Sequence, residues 1–247
     1  MFRAFAVLIA AAPALLLGSC GSGTGGNATT PAAAVAGAPA PKGTTWVDTV
    51  SKTNDGGYLM GNPNAPIKLV EYGARTCPHC AAFDAEGLPV LKEKYIATGK
   101  VSYEFRDYPV HGPLDLAPIL LGNCVDTATF FPLLDQMFQS QQSLLGAADK
   151  LNQAQVNALA NDPPKLATFF AEQLGYLDFV KQRGIPEAKA RACLTDKTAI
   201  DALAARTKTA NAKYQIPGTP TFIINGEVVP DTADWAALEP VLKARGA

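Results

Sequence analysis

Between residue 45 and the C-terminus, hydrophobic and polar positions fall into three blocks of different period. In the first, Trp46 to Val50 and Tyr58-Leu59-Met60 read as short strands, and Gly61-Asn62-Pro63 reads as a turn. Ile67-Lys68-Leu69-Val70-Glu71-Tyr72 is mostly apolar and reads as a buried strand. A helix is predicted from Pro78 toward Tyr95, since proline suits a first helical turn, with Gly87 and Pro89 kinking or interrupting it. Val101-Ser102-Tyr103-Glu104-Phe105 alternates apolar with polar residues, which is the period of a strand. Strand, helix, strand in that order implies a parallel βαβ unit.

From about Leu114 to Lys213 only helical periodicity remains. Asp115 is placed to cap a helix with Pro118 in its first turn. Phe131, Leu134 and Phe138 share one face of the next helix, and Phe169, Phe170, Leu174 and Leu177 share a face of another. Gly184 ends that helix and Pro186 starts a new one. The aromatic pairs Phe130/Phe131 and Phe169/Phe170 are expected in the core. The strand pattern then returns as Thr221-Phe222-Ile223-Ile224, the hairpin turn Asn225-Gly226, and Glu227-Val228-Val229. A final helix is predicted from about Thr232, with Pro240 interrupting it. The layout is β-α-β, an all-helical insert, then β-β-α, with no internal repeat.

Ahead of these blocks, Met1-Phe2-Arg3 precedes an apolar stretch from Ala4 to Leu17. That stretch is short of the ~18 residues needed to span a bilayer, so it reads as a secretion signal. Leu17-Gly18-Ser19-Cys20 resembles the bacterial lipoprotein processing box, which implies that Cys20 becomes the lipidated first residue. The other reading is an ordinary cleavage site with an incidental cysteine. Gly21 follows the box, and in enteric-type sorting a residue other than aspartate does not favour inner-membrane retention. Gly21 to Gly43 is almost all Gly, Ala, Ser, Thr and Pro, too poor in apolar surface to fold, so a disordered tether is expected. The expected divisions are signal 1–19, tether 20–44, N-terminal domain part 45–112, helical insertion 113–205 and C-terminal part 206–247.

Composition changes this picture little. The formal net charge is −1, and without Arg3 there are 20 basic against 22 acidic residues. With no basic stripe or Lys/Arg cluster, nothing points to nucleic acid or an acidic substrate as a partner.

The chemistry lies in Cys77-Pro78-His79-Cys80, at the start of the predicted helix. Two cysteines separated by two residues close a small ring with little rearrangement. The first faces the unpaired N–H groups and positive dipole end of the helix, which favour thiolate over thiol. Thiolate is the attacking form in disulfide exchange, so Cys77 is the candidate nucleophile and Cys80, deeper in the helix, the resolving thiol. His79 has two readings. As a donor beside the sulfur it stabilises the thiolate and makes the disulfide a strong oxidant, or it is an exposed residue without a role. A zinc site is disfavoured, because zinc wants four ligands and the chain has only His79 and His111 to add. No metal and no cofactor are expected. Five cysteines are odd for an exported protein. Assigning Cys20 to lipid leaves Cys77, Cys80, Cys124 and Cys193, which make two pairs. Cys124 and Cys193 both fall on predicted helices of the insert, as a stabilising disulfide or as two unrelated buried thiols.

With Cys-x-x-Cys after the first long strand, the layout resembles the thioredoxin fold, an α/β fold with a central mixed sheet flanked by helices. The helical insertion and the Cys77-Pro78-His79-Cys80 motif make it similar to the DsbA-type thiol:disulfide oxidoreductases over about Trp46 to Arg245. Gly218-Thr219-Pro220 is the second anchor of the resemblance, which implies a cis-proline at Pro220 opposite the cysteines, with Thr219 and Pro220 against the substrate. It also implies that Glu71 is an acid buried behind the cysteines that relays the proton of Cys80; the alternative, by alternation, is an edge or solvent-facing strand residue. Gly57-Tyr58-Leu59-Met60-Gly61-Asn62-Pro63 and the pair Cys124/Cys193 resemble DsbA-like proteins of other bacterial lineages. The implied function is an exported monomeric dithiol oxidase of the periplasm or cell envelope, anchored to the membrane by lipid. It would act on reduced exported proteins and be reoxidised by a membrane partner of the DsbB type. Threonine before the cis-proline is similar to the isomerase branch, so isomerase or reductase is the alternative, although no N-terminal dimerisation domain precedes the fold. From another class, a tethered chaperone-like binding module remains.

Overall fold

The computed structural model describes residues 33–247 of the protein; the signal and the lipidation position Cys20 lie outside the described residues. The N-terminal block contains β1 (Val50–Lys52), β2 (Tyr58–Met60), β3 (Ile67–Gly73), α1 (Pro78–Glu86), α2 (Leu88–Leu91) and β4 (Val101–Asp107). The insert follows as α3 (Leu116–Gly122), α4 (Phe130–Gln139), α5 (Gln141–Leu145), α6 (Gln153–Leu159), α7 (Pro163–Gln173), α8 (Tyr176–Lys181), α9 (Glu187–Leu194) and α10 (Lys197–Tyr214). The chain closes with β5 (Thr221–Ile224), β6 (Glu227–Val228) and α11 (Trp235–Ala244).

The six strands form one mixed sheet in the order β1-β2-β4-β3-β5-β6. β3 is central, parallel to β4 and antiparallel to β5, as a βαβ unit followed by a hairpin requires. Ile67, Leu69 and Phe222 join Phe83 and Leu91 of the first helices in the main core. A second core lies within the insert around Leu121, Phe170, Tyr176 and Leu194. Helix α4 ties the insert to the sheet, because Phe130, Phe131, Leu134 and Phe138 pack into the main core and Phe130 stacks on Tyr58 at 3.6 Å. The disulfide Cys124–Cys193, with Cα atoms 6.0 Å apart, closes the insert internally. Among the described residues, no helix is long and apolar enough to cross a membrane.

Several local expectations are corrected. Trp46–Asp48 is a turn and the strand begins only at Val50. The Thr45 hydroxyl accepts from the Asp48 N–H and the Trp46 indole donates to the Ala38 carbonyl at 2.6 Å, so side-chain bonds outcompete a strand there. The segment expected to be disordered to residue 44 is seated on the domain from residue 33: the Val35 N–H donates to Gly246, and Val35 and Ala40 pack against the main core. One helix was expected to carry both Phe169 and Leu177. It is split at Gly175, which takes φ 76° and lets α8 start in a new direction. The expected break at Pro240 does not occur, and α11 runs through it with Leu238 and Leu242 both fully buried. Packing outweighs the one lost backbone bond. The expected boundary at 205/206 falls inside α10.

Candidate active site

Cys77 is the N-cap of α1, in extended backbone conformation, with Pro78 as the first helical residue. Extended geometry at the cap turns its side chain toward the N–H groups of the first turn, which have no intrahelical partner. The Cys77 thiol is pulled down to about 5, first by a hydrogen bond from the Cys80 thiol, against the opposing effect of burial. The backbone N–H groups of Cys80 and His79 add to it. His79 thus acts on the sulfur through its main chain, while its ring is exposed. Cys77 is itself 4% exposed and Cys80 fully buried, so the expected difference in access between the two is small. Burial pushes the Cys80 thiol up, reinforced by the bond to Cys77 and by the charge of Glu71.

The peptide bond Thr219–Pro220 is cis and lies across from the cysteines, and the Cys77 thiol donates to the Thr219 carbonyl at 3.1 Å. The Thr219 hydroxyl is buried without a hydrogen-bond partner.

Glu71 is paired in register with Phe105 of β4 and Phe222 of β5, on the sheet face covered by α1. It is 1% exposed, and burial pushes its carboxyl up to about 8. Tyr103 donates to Oε2 at 2.6 Å, while Oε1 has no partner in the reduced site. A neutral carboxyl at physiological pH beside Cys80 can give that sulfur a proton.

Four further features escaped the sequence reading. Asp84, one turn beyond Cys80 on α1, is buried and pushed up to about 7 by burial and then by Asp135 of α4. A charged residue four positions after a buried cysteine, on the face of Phe83, was the available signal. Arg75 is 1% exposed and pairs with Asp107 at 2.8 Å, against the ring of Phe130 at 5.1 Å. Its guanidinium lies on Gly122, where any Cβ would collide with it. Gln141 of the insert donates its amide to the carbonyls of Arg75 and Cys77, each at 3.0 Å. Asp115 begins α3 without capping it; its carboxylate takes the Thr76 hydroxyl and the His111 N–H instead. Nothing in the sequence pairs these distant positions. Among the described residues no cluster of three metal-ligating side chains occurs.

A helix-capping dithiol with its pKa values pushed apart, a buried acid behind it and a cis-proline opposite defines a thioredoxin-fold domain of the thiol–disulfide exchange class. The chain belongs to the thioredoxin family, whose family model matches residues 53–244, and within it is DsbA-like. It is similar to the crystal structure of a protein-disulfide isomerase from Novosphingobium aromaticivorans, with 34% identity and a TM-score of 0.72 over 76% of this chain and 95% of that one. It is also similar to alpha-DsbA1 of Wolbachia pipientis, with 25% identity and a TM-score of 0.59 over 75% of this chain and 88% of that one. A provisionally named protein-disulfide oxidoreductase of Rickettsia bellii is 29% identical over 71% of this chain, and the match spans 59% of that relative's length.

Proposed function

We propose that the protein is an exported dithiol oxidase that passes its Cys77–Cys80 disulfide to folding proteins of the cell envelope. The observation that carries this reading is the separation of the two thiols, with Cys77 near 5 and Cys80 pushed up. A client thiolate attacks Cys77 Sγ, the Cys77–Cys80 bond breaks, and the electron pair goes to Cys80, which takes the proton held by Glu71. The second client thiol then attacks the mixed disulfide, and Cys77 leaves as a stable thiolate, a good leaving group. Stabilising the reduced protein in this way makes the disulfide oxidising. In the reverse direction Cys80 resolves the mixed disulfide. Pro78 and His79 flank the attacked sulfur at the surface, and Thr219 and Pro220 offer backbone to the client beside it.

In this reading Cys20 carries lipid, the domain works as a monomer in the periplasm, and a membrane reoxidase of the DsbB type restores the disulfide. Equilibration of the purified protein with glutathione tests the central part. A reduction potential near the ~−120 mV of a strong oxidase supports it, and one near the ~−270 mV of thioredoxin overturns it. Isomerase is the second reading, favoured by Thr219 and by the isomerase description of the Novosphingobium protein. Faster recovery of a scrambled client than oxidation of a reduced one would select it.

A further inference from the structure

We propose that His111 is a catalytic base for the incoming client thiol, its ring fixed for that task by Thr76 and Asp115. This rests on the exchange chemistry proposed above. Thr76 immediately precedes Cys77, and its hydroxyl is within 2.5 Å of Asp115 Oδ1 and 2.7 Å of His111 Nδ1. The other carboxylate oxygen of Asp115 accepts the His111 main-chain N–H at 2.7 Å. Thr76 and Asp115 are buried, at 3% and 0% exposed, whereas His111 is exposed.

Counting protons fixes the tautomer. A carboxylate only accepts, so the single Thr76 hydroxyl proton goes to Asp115. The Thr76 oxygen then only accepts from the ring, so Nδ1 carries a proton and, in the neutral ring, Nε2 has the free lone pair. The ring is thus an oriented acceptor on the surface, bonded to the residue that immediately precedes the cysteine under attack. Burial pushes Asp115 up to about 6, so the arrangement holds above that pH. The groups that face Asp115 are His111 from its own turn, Asp107 from β4 and Tyr176 from α8, with Arg75 close to Tyr176.

The step balances within the protein. The client S–H gives its proton to His111 Nε2, and the resulting thiolate attacks Cys77 Sγ of the disulfide. The Cys77–Cys80 bond breaks, and Cys80 is reduced and protonated by Glu71. The gain is bounded, because an ordinary thiol is already about 3% ionised at pH 7, so complete deprotonation speeds attack by at most about thirtyfold.

The test compares two thiols reacting with the oxidised full chain at pH 7: a single-cysteine peptide, mostly protonated, and thionitrobenzoate, already ionised. His111→Gln is expected to slow the peptide about tenfold, leave thionitrobenzoate within about twofold, and leave the equilibrium with glutathione unchanged, because a base changes rates and not equilibria. An equal loss on both thiols, or no loss on either, would overturn the proposal. Thr76→Val keeps the ring and frees its tautomer, and is expected to reproduce the peptide-selective loss at about threefold. If His111→Gln fails to fold, a Thr76→Val variant without that selectivity overturns the proposal by itself. A wild-type protein that oxidises neither thiol would refute the oxidase reading itself, a result distinct from loss of selectivity.

Discussion

Cys80→Ala should raise the Cys77 pKa from about 5 by roughly 1 to 2 units, whereas His79→Ala should move it by less than about half a unit. The bond from the Cys80 thiol is the largest influence holding Cys77 down. A hydrogen bond to a charged group contributes about 1.5–3 kcal/mol, and one pKa unit corresponds to about 1.4 kcal/mol, which gives the expected range. At pH 7 the thiolate fraction would fall from about 99% to between about 90% and 50%. His79 contributes a backbone N–H, which alanine retains, and its ring is exposed. The assay is ultraviolet titration of thiolate absorbance in the reduced protein, where the Cys124–Cys193 disulfide does not titrate. Cys80→Ser, which keeps a donor at the same place, should restore at least half of the shift. A shift of a full unit in His79→Ala with none in Cys80→Ala would refute the reasoning and return the imidazole to the centre of the site.

Three other outcomes follow from the same geometry. Glu71→Gln should stabilise the reduced protein by about 2–3 kcal/mol at pH 7 and slow release of Cys80; the folded carboxyl near 8 binds a proton that the unfolded one, near 4.5, has lost. Because the folded pKa is raised, this group favours folding most below 4.5 and loses that contribution between 4.5 and about 8, so urea melts of the Gln variant should lack that decline. Arg75→Met should cost about 3 kcal/mol by leaving the Asp107 carboxylate with only the Asn123 amide for a partner, and Arg75→Met with Asp107→Leu should recover most of it in the same melts. Replacing Cys124 and Cys193 together by alanine should cost about 4 kcal/mol for opening a 69-residue loop, with the Cys77 pKa unchanged by titration.

What the sequence made legible was local or periodic. The strand Ile67–Tyr72, the helix start at Pro78 and the turn Asn225-Gly226 follow from short-range chemistry, and the structure has each of them, the turn with φ of 51° and 89° at its two residues. Alternation misled where both faces of a strand are covered. Val101-Ser102-Tyr103-Glu104-Phe105 is a strand as its alternation implies, yet its polar positions Ser102 and Glu104 are buried as well. Glu104 tolerates this because Arg106 bonds both of its oxygens and the Thr53 hydroxyl adds a third bond. Asp115 was legible as a helix-start residue but not in its role. Its partners Thr76 and His111 are chosen by the packing of the insert on the sheet, and no spacing rule reaches across 39 residues.

The same limit explains why the insert could be recognised as helical without its purpose being visible. A cap cysteine needs its neighbouring main chain held still, since the N–H groups that stabilise the thiolate act only at fixed distance and angle. In the loop from Ala74 to Cys77 the Cys77 carbonyl takes the Ala81 N–H and the Ala74 carbonyl takes the Cys77 N–H, but the Arg75 carbonyl relies on a side chain, and a loop of this kind is mobile by default. The insert supplies what the loop lacks. Gln141 bonds the carbonyls of Arg75 and Cys77, Asp115 takes the hydroxyl of Thr76, and Met137 and Phe130 enclose the guanidinium of Arg75. Each contact joins a residue of the loop to a different segment of the helical block, so the cap is fixed from several directions at once. Removing the Gln141 amide would leave the Arg75 carbonyl unpaired beside the nucleophile, at a cost of about 1–3 kcal/mol, while the Cys77 carbonyl keeps the Ala81 N–H. That cost would fall on the geometry of Cys77 before it fell on the fold, because the sheet core beneath keeps its own contacts.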